Sequence, residues 1–229
     1  MWGETTLDIA CNDFAGGEPG IIFTVWDITR TMYLTIPELI RERDQLYGFL
    51  QRRPFTLWGY FPVDAIGVGG KLNSLCARAY RGYDRRLFYT RWACDVAENS
   101  LGFRDDWIPH GLNFDTWKML DREKVRQEEL PQLGMQIAKS AFLVGCVGTN
   151  QQRKDWGLTF AAIAKLRQAT GEQVILWAHI DETIRYWNLH ALAADFGLEK
   201  SVYITTRLSN SQLAKMYSEF NSFIFFSNS

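Results

Sequence analysis

The chain has 229 residues, of which 47% are hydrophobic, and it carries a formal net charge of −1 at pH 7. This length suits one large domain or two small ones, and the apolar content is enough for a sizeable core. A charge so close to zero argues against proteins that hold nucleic acid or acidic membranes by bulk charge.

The cysteines and the N-terminal residues indicate the compartment. Cys11, Cys76, Cys94 and Cys146 are far apart, without a C-x-x-C pair or a metal-ligand spacing, and we expect them to be reduced core residues. Residues 1–10 lack the basic region and apolar core of a signal peptide, and no apolar run reaches the ~20 residues of a membrane helix. The sequence therefore predicts a soluble, cytoplasmic protein without a transmembrane segment.

The first half of the chain alternates apolar runs with helical patterns. Residues 7–11 have the character of a short strand, and residues 35–38 have the spacing of a capping box that starts a helix. The run IIFTVWDI at residues 21–28 predicts a buried strand. Further strands are predicted at residues 55–63, 87–91 and 106–109, and helices at residues 72–80 and 93–99.

Two aspartates lie at the carboxyl ends of predicted strands, where ligands gather in open α/β sheets. Asp27 lies near the end of the first strand, and Asp64 follows the next one. Asp64 is a candidate general base or ligand for an acceptor hydroxyl. The alternative is an aspartate that only stabilises a turn.

Arginines cluster near the end of the predicted helix at residues 72–80. The helix dipole stabilises cations at a helix C-terminus, which gives a structural explanation of the cluster. The alternative is a patch that contacts an acidic lipid surface or an anionic acceptor. The cluster comprises Arg78, Arg81, Arg85 and Arg86.

Residues 114–139 are rich in charge and are broken by Pro131 and Gly134, which predicts a helix and a linker between two domains. Beyond this linker, strands alternate with helices. Alternation on both sides predicts two α/β domains with parallel, doubly wound sheets. The second-half strands are predicted at residues 142–147, 173–179, 202–205 and 223–226, and the helices at residues 157–168, at 183–196 and after a capping box at residues 209–212.

Residues 142–166 form a predicted strand–turn–helix unit with two adjacent cations, Arg153 and Lys154, in its turn. Backbone N–H groups at the start of a helix favour an anion, and the two side chains add positive charge at the same place. The sequence therefore predicts a phosphate site in this turn. The alternative is a pair of solvated turn residues.

Several stretches occur in an order that resembles a known enzyme family. They are GYFPVDA at residues 59–65, RLFYTRWA at 86–93, IPHG at 108–111, FLVGCVGTNQQRKDWGL at 142–158 and LSNSQLAKMYSEFNSFIFFS at 208–227. Together they resemble the retaining glycosyltransferases of the GT-B fold, family four. The resemblance implies an α/β fold with two Rossmann-like parallel-sheet domains, both incomplete in this chain.

The resemblance also implies a division of the chain. Residues 1–112 would be a partial acceptor-side domain, residues 113–140 a linker, and residues 141–229 a partial nucleotide-sugar-binding domain. The family has a paired-glutamate motif that would follow residue 227, and its first strand and glycine-rich loop are missing at the start. We therefore expect a fragment, cut on both sides and inactive by itself.

Residue roles follow from the same resemblance. Lys154 matches the lysine that contacts the donor diphosphate, with Arg153 beside it. Asp64 lies near an acceptor-side position where relatives often carry a histidine, and His110 and Gly111 match the hinge. Relatives often have a further arginine after the glycine of the cationic turn, where Thr149 and Asn150 stand here. The residues expected to contact the nucleotide sugar are Gly148, Thr149, Asn150, His179, Ile180, Thr206 and Arg207.

The implied activity is transfer of a sugar from a nucleotide-diphosphate donor to an acceptor hydroxyl, with retention of configuration. The acceptor would be a glycan, a lipid or a protein, and no nucleic-acid partner is expected. In this chemistry the leaving diphosphate gains negative charge, which cations stabilise. The chain has no H-E-x-x-H or D-x-D motif, so we expect neither a metal nor another cofactor.

Two other readings stay open. A dinucleotide-dependent oxidoreductase would use Gly145 and Gly148 after a strand and Asp181 at the end of the next, although G-x-G-x-x-G is absent and Asp181 comes later than the usual spacing of about 20 residues. The other is a non-catalytic nucleotide-binding protein.

Overall fold

The structure is a computed structural model of the chain, and it describes residues 6–16, 18–40, 44–128, 130–171 and 173–227. The chain divides into two compact units between Gly111 and Leu112. In the described residues each unit has one parallel sheet of four strands with helices around it. This architecture confirms the predicted α/β class.

The first unit is built on a sheet in the order β1-β2-β3-β4, in which every neighbouring pair is parallel. Alternate residues of the inner strand β2 are buried, so that Leu57 and Phe61 face the core. Its elements are α1 (Leu7–Ala15), β1 (Gly20–Val25), α2 (Ile28–Thr31), α3 (Asp44–Arg52), β2 (Phe55–Phe61), α4 (Ser74–Arg81), β3 (Arg85–Phe88), α5 (Arg91–Leu101) and β4 (Asp106–Trp107), with 3₁₀ turns at Met32–Leu34 and Pro37–Leu39.

Two local predictions in this unit are wrong. Residues 7–11 belong to helix α1, because Leu7 and Cys11, which both pack on the core, are separated by one helical turn. The predicted capping box at residues 35–38 is a short 3₁₀ turn. The Thr35 hydroxyl donates to the carbonyl of Ala79 at 3.0 Å, and no side chain caps this turn. Residues 41–43, in the helix predicted to follow the capping box, lie outside the described residues.

The prediction that residues 21–28 form a buried strand is correct for the strand and wrong for its burial. Strand β1 is the outermost strand of its sheet. Ile21, Phe23 and Val25 are each at least half exposed, and Ile22 packs on the core. A continuous apolar run predicts burial on both faces, so the sequence pattern alone does not show that β1 is an edge strand.

The four arginines of the predicted cluster are divided between α4 and β3. Arg86 forms a bidentate ion pair with Asp105, with N···O distances of 2.8 and 3.0 Å, and both side chains are largely buried. Arg78 pairs with Glu38, and Arg85 lies over the Trp58 ring. These contacts give the arginines structural roles within the first unit.

The second unit is built on a sheet in the order β7-β6-β5-β8, again with all pairs parallel. The five residues from Val174 to Ala178 in β6 are all buried, as expected for a strand covered on both faces. Its elements are α6 (Arg122–Glu128), β5 (Phe142–Val147), α7 (Trp156–Thr170), β6 (Val174–His179), α8 (Leu189–Asp195), β7 (Val202–Thr205), α9 (Asn210–Glu219) and β8 (Ser222–Phe223), with 3₁₀ turns at Pro131–Leu133 and Gln152–Lys154.

The segment predicted as a linker packs on this unit. Helix α6 lies against α9, where Arg122 donates two hydrogen bonds to the carbonyl of Glu219, at 3.1 and 2.9 Å. Arg126 forms an ion pair with the fully buried Glu219 carboxylate at 2.9 Å. The charges that predicted a helix and a linker therefore hold helix α6 in place.

The predicted helix at residues 183–196 is shorter in the structure. Helix α8 begins only at Leu189, with the Asn188 side chain accepting a hydrogen bond from the backbone of Ala191. The preceding residues form a loop because Trp187 is held by contacts with Asn150. Ile184 and Trp187, which the predicted helix at residues 183–196 included, therefore lie outside the helix.

Three of the four cysteines, Cys76, Cys94 and Cys146, are buried, as predicted, and Cys11 is only partly buried. All four are free. Burial raises the pKa of the Cys146 thiol to about 12, so this thiol stays protonated and unreactive near neutral pH.

Gly145 provides a test of the packing on β5. A Cβ atom at this position would lie 2.0 Å from the Phe220 ring, so no side chain fits without moving the ring. We expect Gly145→Ala to destabilise the second unit by about 1–3 kcal/mol, the usual cost of overpacking, as measured by urea unfolding. Gly20→Ala is the matched control, since its Cβ would meet nothing within 4 Å. Equal stability of the two variants would contradict this packing.

Candidate active site

The carboxyl ends of the strands in the second sheet lie at one edge. The strand register places Val147 beside His179 and His179 beside Thr205. The segments that follow β5, β6 and β7 therefore leave the sheet side by side. In open parallel sheets this edge is where ligands bind.

A cationic turn follows β5 at this edge. Residues Gln152–Lys154 form one turn of 3₁₀ helix, and Asp155 then caps α7 by accepting a hydrogen bond from the Leu158 backbone at 3.0 Å. The Lys154 ammonium lies over the Phe225 ring, 4.0 Å from its centroid. Arg153 donates to the Ser227 hydroxyl at 3.1 Å. The turn is thus packed against the segment that follows β8.

The two cations raise each other's electrostatic energy. The pKa of Lys154 is lowered first by partial burial and then by the charge of Arg153. An anion beside the turn would offset both effects, because it favours the charged form of the ammonium. The predicted phosphate site therefore has the electrostatics that an anion would relieve.

Asn150 holds this turn in position. Its side chain is fully buried, and its amide donates to the carbonyls of Glu182 and Trp187, both at 2.8 Å. Its side-chain oxygen accepts from the Trp187 backbone at 3.0 Å, and its own backbone N–H donates to the Asp181 carboxylate at 2.6 Å. These bonds give Asn150 a positioning role and leave its side chain without a donor for a ligand.

The Asp181 bond also bears on the oxidoreductase alternative. The ribose-binding acid of a dinucleotide site must accept hydrogen bonds from the ribose hydroxyls. One oxygen of Asp181 instead fixes the turn through Asn150, and the other lies 4.0 Å from Arg185. The structure therefore gives Asp181 a role within the loop.

The ends of β6 and β7 supply polar groups beside the turn. His179 is half-buried, its Nδ1 lies 3.1 Å from the Thr205 hydroxyl, and burial lowers the pKa of its imidazole. The His179 carbonyl accepts from the Gly148 backbone at 3.0 Å. Ile180 is 1% exposed and its N–H donates to Thr205, so its side chain belongs to the core and does not face a ligand.

Thr149, Thr206 and Arg207 are the exposed residues among the predicted nucleotide contacts. Arg207 has a φ of +55° and Asp155 a φ of +37°, a backbone region uncommon for residues other than glycine. Two of the three such residues in the described chain thus lie at this edge. Backbone strain of this kind clusters at ligand sites.

The candidate residues of the first unit lie at the carboxyl edge of its own sheet. Asp64 is exposed after β2. His110 packs edge-on against Tyr60 and lies 4.1 Å, centroid to centroid, from the Tyr89 ring. Gly111 is the last residue of this unit, so the predicted hinge coincides with the boundary between the units.

Sequence reasoning missed Phe225 and Ser227 as partners of the cationic turn. The sequence predicts an apolar strand at residues 223–226, whereas the strand that pairs with β5 in the structure is Ser222–Phe223. A lysine and an aromatic residue 71 positions apart carry no local signal of contact. The only hint was that the strand containing Phe225 was predicted to belong to the same parallel sheet as β5.

No group of three or more His, Cys, Asp or Glu side chains in the part of the chain that the structure describes is arranged to hold a metal ion. No helix in the same part of the chain has both the length and the apolar character needed to cross a membrane.

Comparisons with known proteins find similarity in fold and not in sequence. No protein-family model and no curated protein sequence matches the chain. Solved structures match it: HepE from Anabaena in complex with UDP and glucose has a TM-score of 0.63 and 13% identity, over 98% of this chain and 56% of HepE. Sucrose-phosphate synthase from Thermosynechococcus elongatus has a TM-score of 0.61 and 16% identity, over 96% and 53%.

A third match is trehalose-6-phosphate synthase, in a structure that addresses glycosyl transfer with retention. Its TM-score is 0.62 at 12% identity, over 98% of this chain and 57% of that one. The chain spans about half the length of these structures. At such low identities the likeness concerns the fold, and the two parallel sheets of this chain have the GT-B-like fold of these glycosyltransferases.

Proposed function

We propose that this protein transfers a sugar from a nucleotide-diphosphate donor to an acceptor hydroxyl, with retention of configuration. The observation that carries the proposal is the pair Arg153 and Lys154 at the carboxyl edge of the second sheet, in a GT-B-like fold. The likeness to HepE, solved with UDP and glucose, supports a nucleotide sugar as the donor.

The cationic turn has the chemistry that this reaction needs. Cleavage of the sugar–phosphate bond leaves negative charge on the diphosphate and gives the sugar oxocarbenium character. Lys154 and Arg153 would stabilise that charge as it develops, because groups already in position need no reorganisation during the reaction. The proposal therefore includes no metal ion or other cofactor in this role.

The remaining residues at the edge would bind the nucleotide. Gly148 and Thr149 bring backbone close to the diphosphate, and His179, Thr206 and Arg207 lie at the ends of the next two strands, where the base and ribose would lie. Asn150 contributes by fixing the turn. On the acceptor side, Asp64 would accept a hydrogen bond from the hydroxyl of a glycan, lipid or protein.

A thermal-shift screen tests the donor class. We expect UDP-, GDP- or ADP-sugars to raise the melting temperature of the chain, because a ligand that binds only the folded state stabilises it, whereas NAD should not. The screen also tests the alternative of an oxidoreductase. A shift with NAD and none with any nucleotide sugar would overturn the proposal.

A turnover assay separates catalysis from nucleotide binding alone. Because the chain spans about half the length of the matched structures, transfer is proposed for the whole protein. NMR of the anomeric proton in the product should show the configuration of the donor sugar. Inverted product would contradict retention, and donor binding without turnover would favour a non-catalytic nucleotide-binding protein.

A further inference from the structure

A groove of about 530 Å³ opens at the carboxyl edge of the first sheet, within the usual size range of ligand pockets. Asp27, directly before α2, and Asp64, after β2, lie in its wall. Apolar residues, among them Val63 and Leu72, line most of the remaining wall, which also contains the polar residues Thr29 and Asn73. An apolar cleft with a few polar groups is the usual design of a site for a small molecule.

The groove contains two carboxylates, those of Asp27 and Asp64. Within the described ranges, neither Asp27 nor Asp64 makes a side-chain hydrogen bond or an ion pair. Other carboxylates of the first unit are paired with arginines, as in Asp84 with Arg53 and Asp105 with Arg86. The oxygens of Asp27 and Asp64 are therefore available as acceptors for the hydroxyl groups of a ligand.

Asp27 and Asp64 are the charged side chains of the described groove wall. Among the described residues that line it there is no lysine, arginine or histidine. The negative charge of the groove also affects a neighbouring tyrosine. The pKa of Tyr89 is raised first by burial and then by Tyr60, Asp27 and Asp64. A phosphate group here would meet two like charges and no cation, and like charges at close range oppose binding.

We propose that this groove binds an uncharged polyhydroxyl acceptor, such as a sugar, and discriminates against phosphorylated ones. Hydroxyl groups would donate charge-assisted hydrogen bonds to Asp27 and Asp64, which are stronger than bonds between neutral groups. The apolar wall would contact the C–H face of the ring. This inference deepens the proposed function by naming the acceptor class, and it rests on that function.

The test compares neutral and phosphorylated sugars on the chain itself. Methyl glycosides of glucose and mannose are titrated into protein with labelled methyl groups, and glucose 6-phosphate and mannose 6-phosphate are titrated in parallel. We expect at least one methyl glycoside to shift the methyl resonances of Ile28 and Val63, which line the groove. The matching sugar phosphate should bind at least tenfold more weakly.

The double variant Asp27→Asn/Asp64→Asn tests the cause of this selectivity. Both side chains are exposed, so we expect the fold to be retained, and the preference for the neutral sugar should fall to about threefold or less. Asp13→Asn, an exposed carboxylate on α1 outside the groove, should leave the preference unchanged. Tighter binding of the sugar phosphate to the unmodified chain, or no shift with any glycoside, would overturn the inference.

A UDP titration in the same samples separates this inference from the proposed function. Binding of UDP at the second unit without any sugar in the groove would overturn the acceptor inference and leave the donor proposal standing. Sugar binding in the groove without any response to UDP would remove the proposed function on which the word acceptor rests. Binding of both, with neutral sugars preferred, supports the two together.

Discussion

Arg126→Ala is expected to lower the free energy of unfolding of the second unit by about 3–5 kcal/mol at pH 8. The Glu219 carboxylate is fully buried, and Arg126 is its ion-pair partner at 2.9 Å. Arg126 also donates to the carbonyls of Ala138 and Lys139 at 3.3 and 2.9 Å. It therefore connects helix α6 and the segment before β5 to α9. Its removal leaves a buried charge without its partner, which costs more than the pair contributes.

The loss should depend on pH. Burial raises the pKa of Glu219, and Arg126 and then Arg122 oppose that rise. Without Arg126 the folded-state pKa rises further above the unfolded value, so the folded state binds more protons and stability falls as the pH rises through this window. The penalty should therefore decrease as the pH is lowered from 8, because a protonated carboxyl group no longer needs a cationic partner.

Urea unfolding followed by amide exchange of the buried β6 residues reports on the second unit alone. Lys139→Ala is the matched control, because it breaks the exposed pair with Glu123, whose side chains are 67% and 72% exposed. Such surface pairs contribute at most about 1 kcal/mol. A loss below 1 kcal/mol for Arg126→Ala at pH 8 would show that the buried pair does not hold α6 in place.

Much of the second unit follows from its sequence. Strands β5 and β6 lie within one residue of the strands predicted at residues 142–147 and 173–179, and Ser209 with Gln212 forms the predicted capping box. The helix predicted at residues 157–168 is α7, but its apolar pattern does not show which side faces the core. The helix is apolar on several faces, and its core side is formed by Trp156, Phe160 and Ile163, while Leu158 is 45% exposed.

The departures have tertiary causes. Residues 183–188 have helical periodicity, but Asn150 binds the backbone of Trp187 and holds that segment as a loop. The charged segment before β5 has the composition of a linker, but Arg126 finds a buried partner 93 residues later. Local patterns contain no information about such partners, so neither outcome was predictable from composition.

The candidate site was also only partly predictable from the sequence. The position of Arg153 and Lys154 in a turn after a parallel strand follows from the pattern of residues 142–158. The contacts that orient them do not, because Phe225 and Ser227 belong to a distant segment. The predicted binding role of Asn150 illustrates the limit: a polar residue in a ligand-binding turn carries the same sequence signal whether it faces the ligand or fixes the turn.

Lys154→Ala is expected to weaken binding of UDP or a UDP-sugar by about 10- to 100-fold. The proposed function gives Lys154 a charge-assisted hydrogen bond to the diphosphate, an interaction of roughly 1.5–3 kcal/mol, and each 1.4 kcal/mol corresponds to about tenfold in affinity. The side chain is only partly buried and lies over Phe225, so its removal should leave the fold intact. Lys154→Arg should retain most of the affinity, because it keeps the positive charge.

Lys165→Ala is the matched control, since this lysine is exposed on α7, away from the cationic turn. Calorimetric titration of UDP into the unmodified chain and these three variants tests the donor site most directly. We predict that Lys154→Ala alone loses at least tenfold in affinity, while Lys165→Ala binds within twofold of the unmodified chain. Equal affinity of Lys154→Ala and Lys165→Ala, or no binding of UDP to the unmodified chain, would contradict the assignment of a nucleotide-diphosphate site to this edge of the sheet.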